Sequence, residues 1–128
     1  MKVIVDNKIP YIKGNIEKIA DEVVYLPGQA FTKEEVMDGD ALIVRTRTLC
    51  NAGLLEGSSV KFIATATIGL DHIDTAYCRE AGIEWTNCPG CNAGSVEQYV
   101  HASLLLLKHH KGLDLGKATL GIVGVGHV

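Results

Sequence analysis

The stretch Phe62-Ile-Ala-Thr-Ala-Thr-Ile-Gly-Leu-Asp-His-Ile-Asp74 decides the fold. Its first half, Phe62 to Ala66, is short, apolar and bounded, the pattern of a strand buried on both faces. Its second half predicts a turn into a helix. Gly69 allows a sharp turn and a close backbone approach to a ligand. Asp71 is a suitable N-cap, and Asp74 places a second carboxylate in the first helical turn. A strand that ends in small and hydroxyl residues before such a turn presents backbone N–H groups to an anion. In an open α/β sheet that carboxyl edge is where ligands bind.

The same alternation extends outward in both directions. Lys2 to Asp6 reads as a first strand, followed by a helix opened by Pro10 with Ile12, Ile16, Ile19 and Ala20 on one face. Glu22 to Leu26 is a second strand, stopped by Pro27-Gly28. Thr32 and Glu35 form a capping box for a short helix through Met37. Asp40 to Val44 is the third strand, and Arg45-Thr46-Arg47-Thr48 follows it. After the fourth strand a helix from Asp71 to Ala81 is expected to stop at Gly82, and Ile83 to Thr86 is a fifth strand. Strands without a polar face, each followed by a helix, require a parallel sheet covered on both sides. The predicted fold is α/β, a flavodoxin-like doubly wound domain over residues 1–89.

From residue 90 the character changes. Ser95 is expected to cap a long helix through Lys111, with Val96, Val100, Ser103, Leu104 and Leu107 on its apolar face and Gly112 as its stop. Ala118 to Gly126 then reads as a strand running into glycines. Gly124, Gly126, His127 and Val128 open a G-x-G-x-x-G phosphate loop whose third glycine and helix are absent from these residues. Residues 90–128 are therefore expected to be the first helix and strand of a truncated Rossmann cofactor domain.

Composition narrows the function classes. Hydrophobic residues make up 47% of 128, mean hydropathy is +0.17, and the formal net charge is -3. Such a chain is globular, without a basic stripe for nucleic acid or a polybasic cluster for a membrane surface. The run Val3-Ile4-Val5 is cut by Asp6, so no secretory signal is expected. Cys50, Cys78, Cys88 and Cys91 are expected to be reduced thiols of a cytoplasmic protein. The Cys88-Pro-Gly-Cys91 spacing has no second ligand pair for zinc and does not open a helix as redox pairs do, so it reads as a loop with incidental thiols.

Arg45 and Arg47 flank Thr46 at a strand's carboxyl end. Arginine suits bidentate capture of carboxylate or phosphate, and Thr46 adds a hydroxyl donor. Arg45, next to the apolar strand, is the better anchor. Asp6 is expected to cap the Asn7 to Tyr11 turn. His72 and His101 read as structural singletons on helices, and His109-His110 as a solvated helix end. A receiver domain would need an acid at the end of the third strand, where Arg45-Thr46 stands. An FMN module would need a hydroxyl-rich loop after the first strand.

Four segments occur in order: Val44-Arg-Thr-Arg-Thr48, Gly69-Leu-Asp-His-Ile-Asp74, Asn92-Ala-Gly-Ser-Val-Glu97 and Gly121-Ile-Val-Gly-Val-Gly126. Together they resemble the NAD-dependent D-2-hydroxyacid dehydrogenases. Asp6-Asn-Lys-Ile-Pro-Tyr11, Ala64-Thr-Ala-Thr67 and Pro89-Gly-Cys-Asn-Ala93 are most similar to the branch that oxidises 4-phosphoerythronate in vitamin B6 biosynthesis. The resemblance implies hydride transfer to the nicotinamide and proton transfer to a His paired with a Glu, with an Arg orienting the substrate carboxylate. In the family all three residues lie in the later cofactor domain, so no catalytic residue is expected here and these residues alone are expected to be inactive. By position the resemblance makes Thr46 and Thr67 substrate contacts, lines their pocket with Arg45, and turns backbone groups of Ile68 and Gly69 toward the carboxylate. The family's serine in the arginine loop is Thr46 here, which keeps the hydroxyl. NAD would lie against Gly124, Gly126, His127 and Val128, no metal is implied, and the partner is a second copy in a homodimer. Another D-2-hydroxyacid dehydrogenase, or a non-catalytic NAD-sensing protein on the same fold, is the alternative. Without a cofactor domain around them, the leucine face of the 95–111 helix and the 120–125 strand edge are expected to be exposed and to drive association or rearrangement of residues 90–128.

Overall fold

Five short apolar runs become five parallel strands: β1 (Lys2–Asp6), β2 (Glu22–Leu26), β3 (Ala41–Val44), β4 (Phe62–Thr65) and β5 (Glu84–Thr86), in spatial order β2-β1-β3-β4-β5. This computed structural model describes residues 1–126. The order is the flavodoxin-like one, reversing direction between β1 and β3, and it matches the sequence reading. Alternation along the strands splits the apolar side chains between two layers. Ile4, Leu42, Val44 and Ile63 face one side, with Phe31, Val36, Leu54, Leu55, Val60, Ile73, Cys78 and Ile83 packed on them. Val3, Val5 and Ala41 face the other, covered by Ile16 and by the half-buried Ile9, Ile12 and Ala20.

The helices of this unit are short: α1 (Lys33–Val36), α2 (Ala52–Leu55) and α3 (Thr75–Glu80). Each begins on a capping side chain. Thr32 Oγ1 accepts from the Glu35 N–H at 3.4 Å, Asn51 Oδ1 from Leu54 N–H at 3.2 Å, and Asp74 Oδ1 from Tyr77 N–H at 3.0 Å. The expected N-cap Asp71 is thus corrected to Asp74, and the helix starts one turn later. Residues 68–73 are instead held by the Ile73 N–H to Leu70 carbonyl bond (2.8 Å) and by a parallel bridge between Ile73 and Cys50.

The helix expected after Pro10 is absent, replaced by one 3-10 turn at Ile16–Lys18. Tyr11 (φ 59°) and Gly14 (φ 80°) take left-handed conformations that a continuous right-handed helix excludes. The apolar period survives in part: Ile16 is buried, but Ile19 is 71% exposed.

The chain divides into two compact units, Met1–Cys88 and a second that begins at Pro89. The second carries α4 (Ala93–Lys111), which ends at Gly112 in a left-handed conformation with φ 66°. Ser95 lies inside this helix rather than capping it. The strand expected over 118–126 does not form: a strand needs a ladder partner, and among the described residues the second unit has no other strand to supply one. Leu105 (60%) and Leu106 (57%) are exposed on α4, as are Tyr99, Val100 and Leu107. Contiguous apolar exposure of this kind favours association. Light scattering is expected to show oligomers whose fraction rises with concentration; a monomer at every concentration would contradict this.

Candidate functional site

At the carboxyl edge, β3 delivers fully buried Val44 and then exposed Arg45, Thr46 and Arg47. The loop is a closed turn, with Thr48 N–H donating to the Arg45 carbonyl at 3.2 Å. Two further ties fix it. Buried Thr48 donates its hydroxyl to the Gly28 carbonyl at 3.0 Å, joining it to the loop after β2. Cys50 donates its N–H to the His72 carbonyl (2.8 Å) and accepts from the Asp74 N–H (2.8 Å), joining it to the loop after β4. The two loops the sequence singled out are therefore neighbours, because β3 and β4 pair with Val44 opposite Thr65.

Arg45, Thr46 and Arg47 line a cavity of about 420 Å³ with Asp6, Lys8, Pro27, Gly28 and Gln29. It opens where the strand order reverses between β1 and β3, the place at which doubly wound sheets bind ligands. Three cationic side chains and one carboxylate meet here. Among the described residues neither arginine is ion-paired; Arg45 donates only to the Lys8 carbonyl, at 3.4 Å. Unpaired guanidinium groups around an open hollow suit an anion. A second hollow of about 260 Å³ is lined by Thr46, Leu49, Gly69, Asp71 and His72. Thr46 belongs to both.

The β4 loop adds donors. Among the described residues the N–H groups of Ile68 and Gly69 have no protein acceptor. The Ile68 carbonyl is held by the Asn87 side-chain amide at 2.7 Å. Gly69 itself is not in a left-handed conformation, and a Cβ there would meet only the Asp71 carboxylate at 4.0 Å, so the expected need for glycine at this turn is not observed. Thr67 is half-buried, bonded through its hydroxyl to Thr65 and Gly69. Gly124 and Gly126 lie in the second unit, in a segment that forms no strand. His127 and Val128 lie outside the described residues.

The sequence reading missed Lys8, Gly28 and Asn87. Gly28 is the one with a readable signal, Pro-Gly at a strand end, but only the tertiary approach gives it meaning. A Cβ on Gly28 would stand 2.8 Å from Asp6 Oδ2 and 3.2 Å from Arg47 Cβ. Asp6 cannot easily yield: it is 2% exposed and its Oδ1 accepts from Lys8 N–H at 2.8 Å, the turn cap expected of it. Gly28→Ala is expected to destabilise the chain by roughly 1–3 kcal/mol and to weaken phosphate binding at the arginines. Urea unfolding and calorimetric titration check both.

His72 is not on a helix, contrary to the sequence reading. It is 6% exposed in the turn before α3, with Nε2 2.9 Å from Thr65 Oγ1. Burial pushes its pKa below the usual 6.5, against a weaker opposite pull from the Asp71 carboxylate. A histidine whose folded pKa is depressed contributes stability that is complete above its unfolded value and lost as pH falls through the folded one. Melting temperature is expected to drop as pH falls below about 6.5, and His72→Gln is expected to flatten that limb. The carboxylates with lowered pKa values, Glu17, Asp21, Glu34 and Asp38, act in a lower pH window.

All four cysteines are free thiols, and burial raises the Cys50 pKa to about 12 and pushes Cys78 up as well. No group of potential metal ligands is present among the described residues.

Comparison with known proteins places this geometry. Residues 3–105 match the family described as D-isomer specific 2-hydroxyacid dehydrogenase, catalytic domain. All 128 residues align at 67% identity with 37% of a Bacteroides fragilis protein named Erythronate-4-phosphate dehydrogenase. They align at 44% identity with 34% of an Escherichia coli O157:H7 protein of the same name. The chain thus spans about a third of the length of these relatives. Among solved structures, an NAD+-bound 3-phosphoglycerate dehydrogenase of Entamoeba histolytica matches with TM-score 0.64 and 26% identity over 93% of this chain and 42% of that one. An NAD complex of Staphylococcus aureus formate dehydrogenase, at 22% identity and TM-score 0.67 over 88% of this chain and 39% of that one, shares the fold. The matched span includes residues of all five strands and both site loops, and the chain belongs to the D-isomer specific 2-hydroxyacid dehydrogenase family.

Proposed function

We propose that these residues form the substrate-binding part of an NAD-dependent oxidoreductase that converts 4-phospho-D-erythronate to 2-oxo-3-hydroxy-4-phosphobutanoate, on the route to pyridoxal phosphate. The observation that carries this reading is the 67% identity across all 128 residues with a relative named for that substrate. The geometry supports it. The substrate bears a carboxylate and a phosphate, and the cavity offers Arg45, Arg47 and Lys8 beside the hydroxyl of Thr46. Thr67 supplies a second hydroxyl, and the N–H groups of Ile68 and Gly69 supply neutral donors. Oxidation removes the C2 hydrogen as hydride and the hydroxyl hydrogen as a proton. These residues would bind and orient the anion, and NAD, when bound, would supply the hydride acceptor.

NAD enters from the family reading, with Gly124, Gly126, His127 and Val128 as the proposed contacts. The described part of that segment does not build a pyrophosphate cradle, since no strand leads into it. No step is derived through it. A cytoplasmic homodimer completes the proposal; the exposed leucines of α4 suit a partner of the same kind, and the exposed thiols of Cys88 and Cys91 suit a reducing compartment.

The test uses a polypeptide of the relatives' length that begins with these residues. NADH formation with 4-phospho-D-erythronate is the expected result. NADH formation only with another D-2-hydroxyacid, or none with any, would overturn the substrate assignment.

A further inference from the structure

We propose that His72 is a positioning residue that fixes the direction of a hydroxyl chain, so that Thr67 offers a hydrogen rather than a lone pair to an anion at the β4 loop. The inference rests on the site reading above and deepens it.

The chain is continuous. His72 Nε2 lies 2.9 Å from Thr65 Oγ1, Thr65 Oγ1 lies 2.7 Å from Thr67 Oγ1, and Thr67 donates to the Gly69 carbonyl at 3.4 Å. Its direction follows from counting hydrogens. A hydroxyl has one hydrogen, and a carbonyl oxygen has none to give. Thr67 spends its hydrogen on Gly69, so Thr65 must donate to Thr67. Thr65 then has none left for His72, so His72 must donate from Nε2. The neutral imidazole therefore carries its hydrogen on Nε2.

The opposite tautomer reverses every link. Nε2 would accept from Thr65, Thr65 would accept from Thr67, and Thr67 would show only lone pairs to the loop. An anion would then be repelled where Ile68 and Gly69 offer it donors. The two inner links are protected, since Thr65 is 1% exposed. The outer link is longer than an ordinary O–H···O bond of roughly 2.5–3.0 Å, so its hydrogen is the one an arriving oxygen can redirect. Burial, which lowers the His72 pKa, favours the neutral ring, the form in which the choice of tautomer sets the direction of the chain.

Nitrogen-15 NMR of histidine-labelled protein at neutral pH reads the tautomer directly. A hydrogen on Nε2 supports the inference, and a hydrogen on Nδ1 overturns it, whatever the protein binds. Affinity gives an independent reading with inorganic phosphate as the probe. Thr65→Val, which keeps the shape and removes the link, is expected to weaken phosphate binding roughly fivefold to tenfold, about 1–1.4 kcal/mol, and Thr65→Ser is expected to restore it. His72→Phe combined with Thr65→Val is expected to be no weaker than Thr65→Val, because both break one chain. Unchanged affinity in Thr65→Val would overturn the inference. A parent protein that binds no phosphate would count against the anion pocket, while the tautomer still decides the role of His72.

Discussion

Leu42→Ala is expected to cost roughly 2–5 kcal/mol of folding stability, the range for truncating a buried leucine to alanine. Leu42 is wholly buried on β3, paired with Ile4 of β1 on one side and Ile63 of β4 on the other. Those two are also wholly buried, so the vacated volume is walled by strands that cannot collapse into it. A domain of this size has about 5–15 kcal/mol in total, and the substitution removes a large share. The urea midpoint should fall steeply, whereas Ile19→Ala, at a residue 71% exposed, should leave it within about 0.5 kcal/mol. Equal midpoints for the two variants would mean that the sheet core is not where the structure puts it.

The second large effect concerns binding. Arg45→Ala and Arg47→Ala together are expected to lower affinity for phosphate by about two orders of magnitude, since hydrogen bonds to charged groups are each worth roughly 1.5–3 kcal/mol. Among the described residues neither guanidinium is engaged by a carboxylate, so neither has to break such an ion pair before binding. Arg45→Lys should recover only part of the loss, because an ammonium cannot grip two oxygens in the plane of a fork. Raising the salt concentration should erode the parent affinity more than that of the double variant. Calorimetric titration across this series would contradict the account if the double variant bound as tightly as the parent.

The strands were legible because each is a short apolar run between punctuating residues. Lys2–Asp6 and Glu22–Leu26 stand where the pattern places them. The parallel order followed from strands with no polar face. Helix starts were less legible. Asp71 and Asp74 are both good caps, and the choice between them is made by Cys50, which takes the Asp74 N–H and pulls residues 72–74 toward the arginine loop. A local rule has no access to that partner. The helix after Pro10 failed for a related reason: its apolar spacing serves the core through Ile12, Ile16 and Ala20 but not Ile19, and Tyr11 and Gly14 set a backbone that spacing does not report.

In the candidate site, Arg45 and Thr46 were legible as unusual chemistry at a strand end, and their adjacency to the Thr67–Gly69 loop followed from strand order. Gly28, Lys8 and Asn87 were not, because each matters only through a neighbour distant in sequence. His72 was read as structural, and the burial agrees. Its hydroxyl chain is invisible without knowing that Thr65 and Thr67 flank one bend of the β4 loop.

We propose that the tips of β3 and β4 act as one anion pocket. Titrating inorganic phosphate into nitrogen-15-labelled protein and following the backbone amides tests it most directly. Saturable shifts are expected, confined to the loops 45–48 and 67–69 and the adjoining Gly28 turn and abolished together by the Arg45→Ala, Arg47→Ala pair. Shifts at only one of the two tips, or concentrated on α4 and the glycines beyond it, would contradict it.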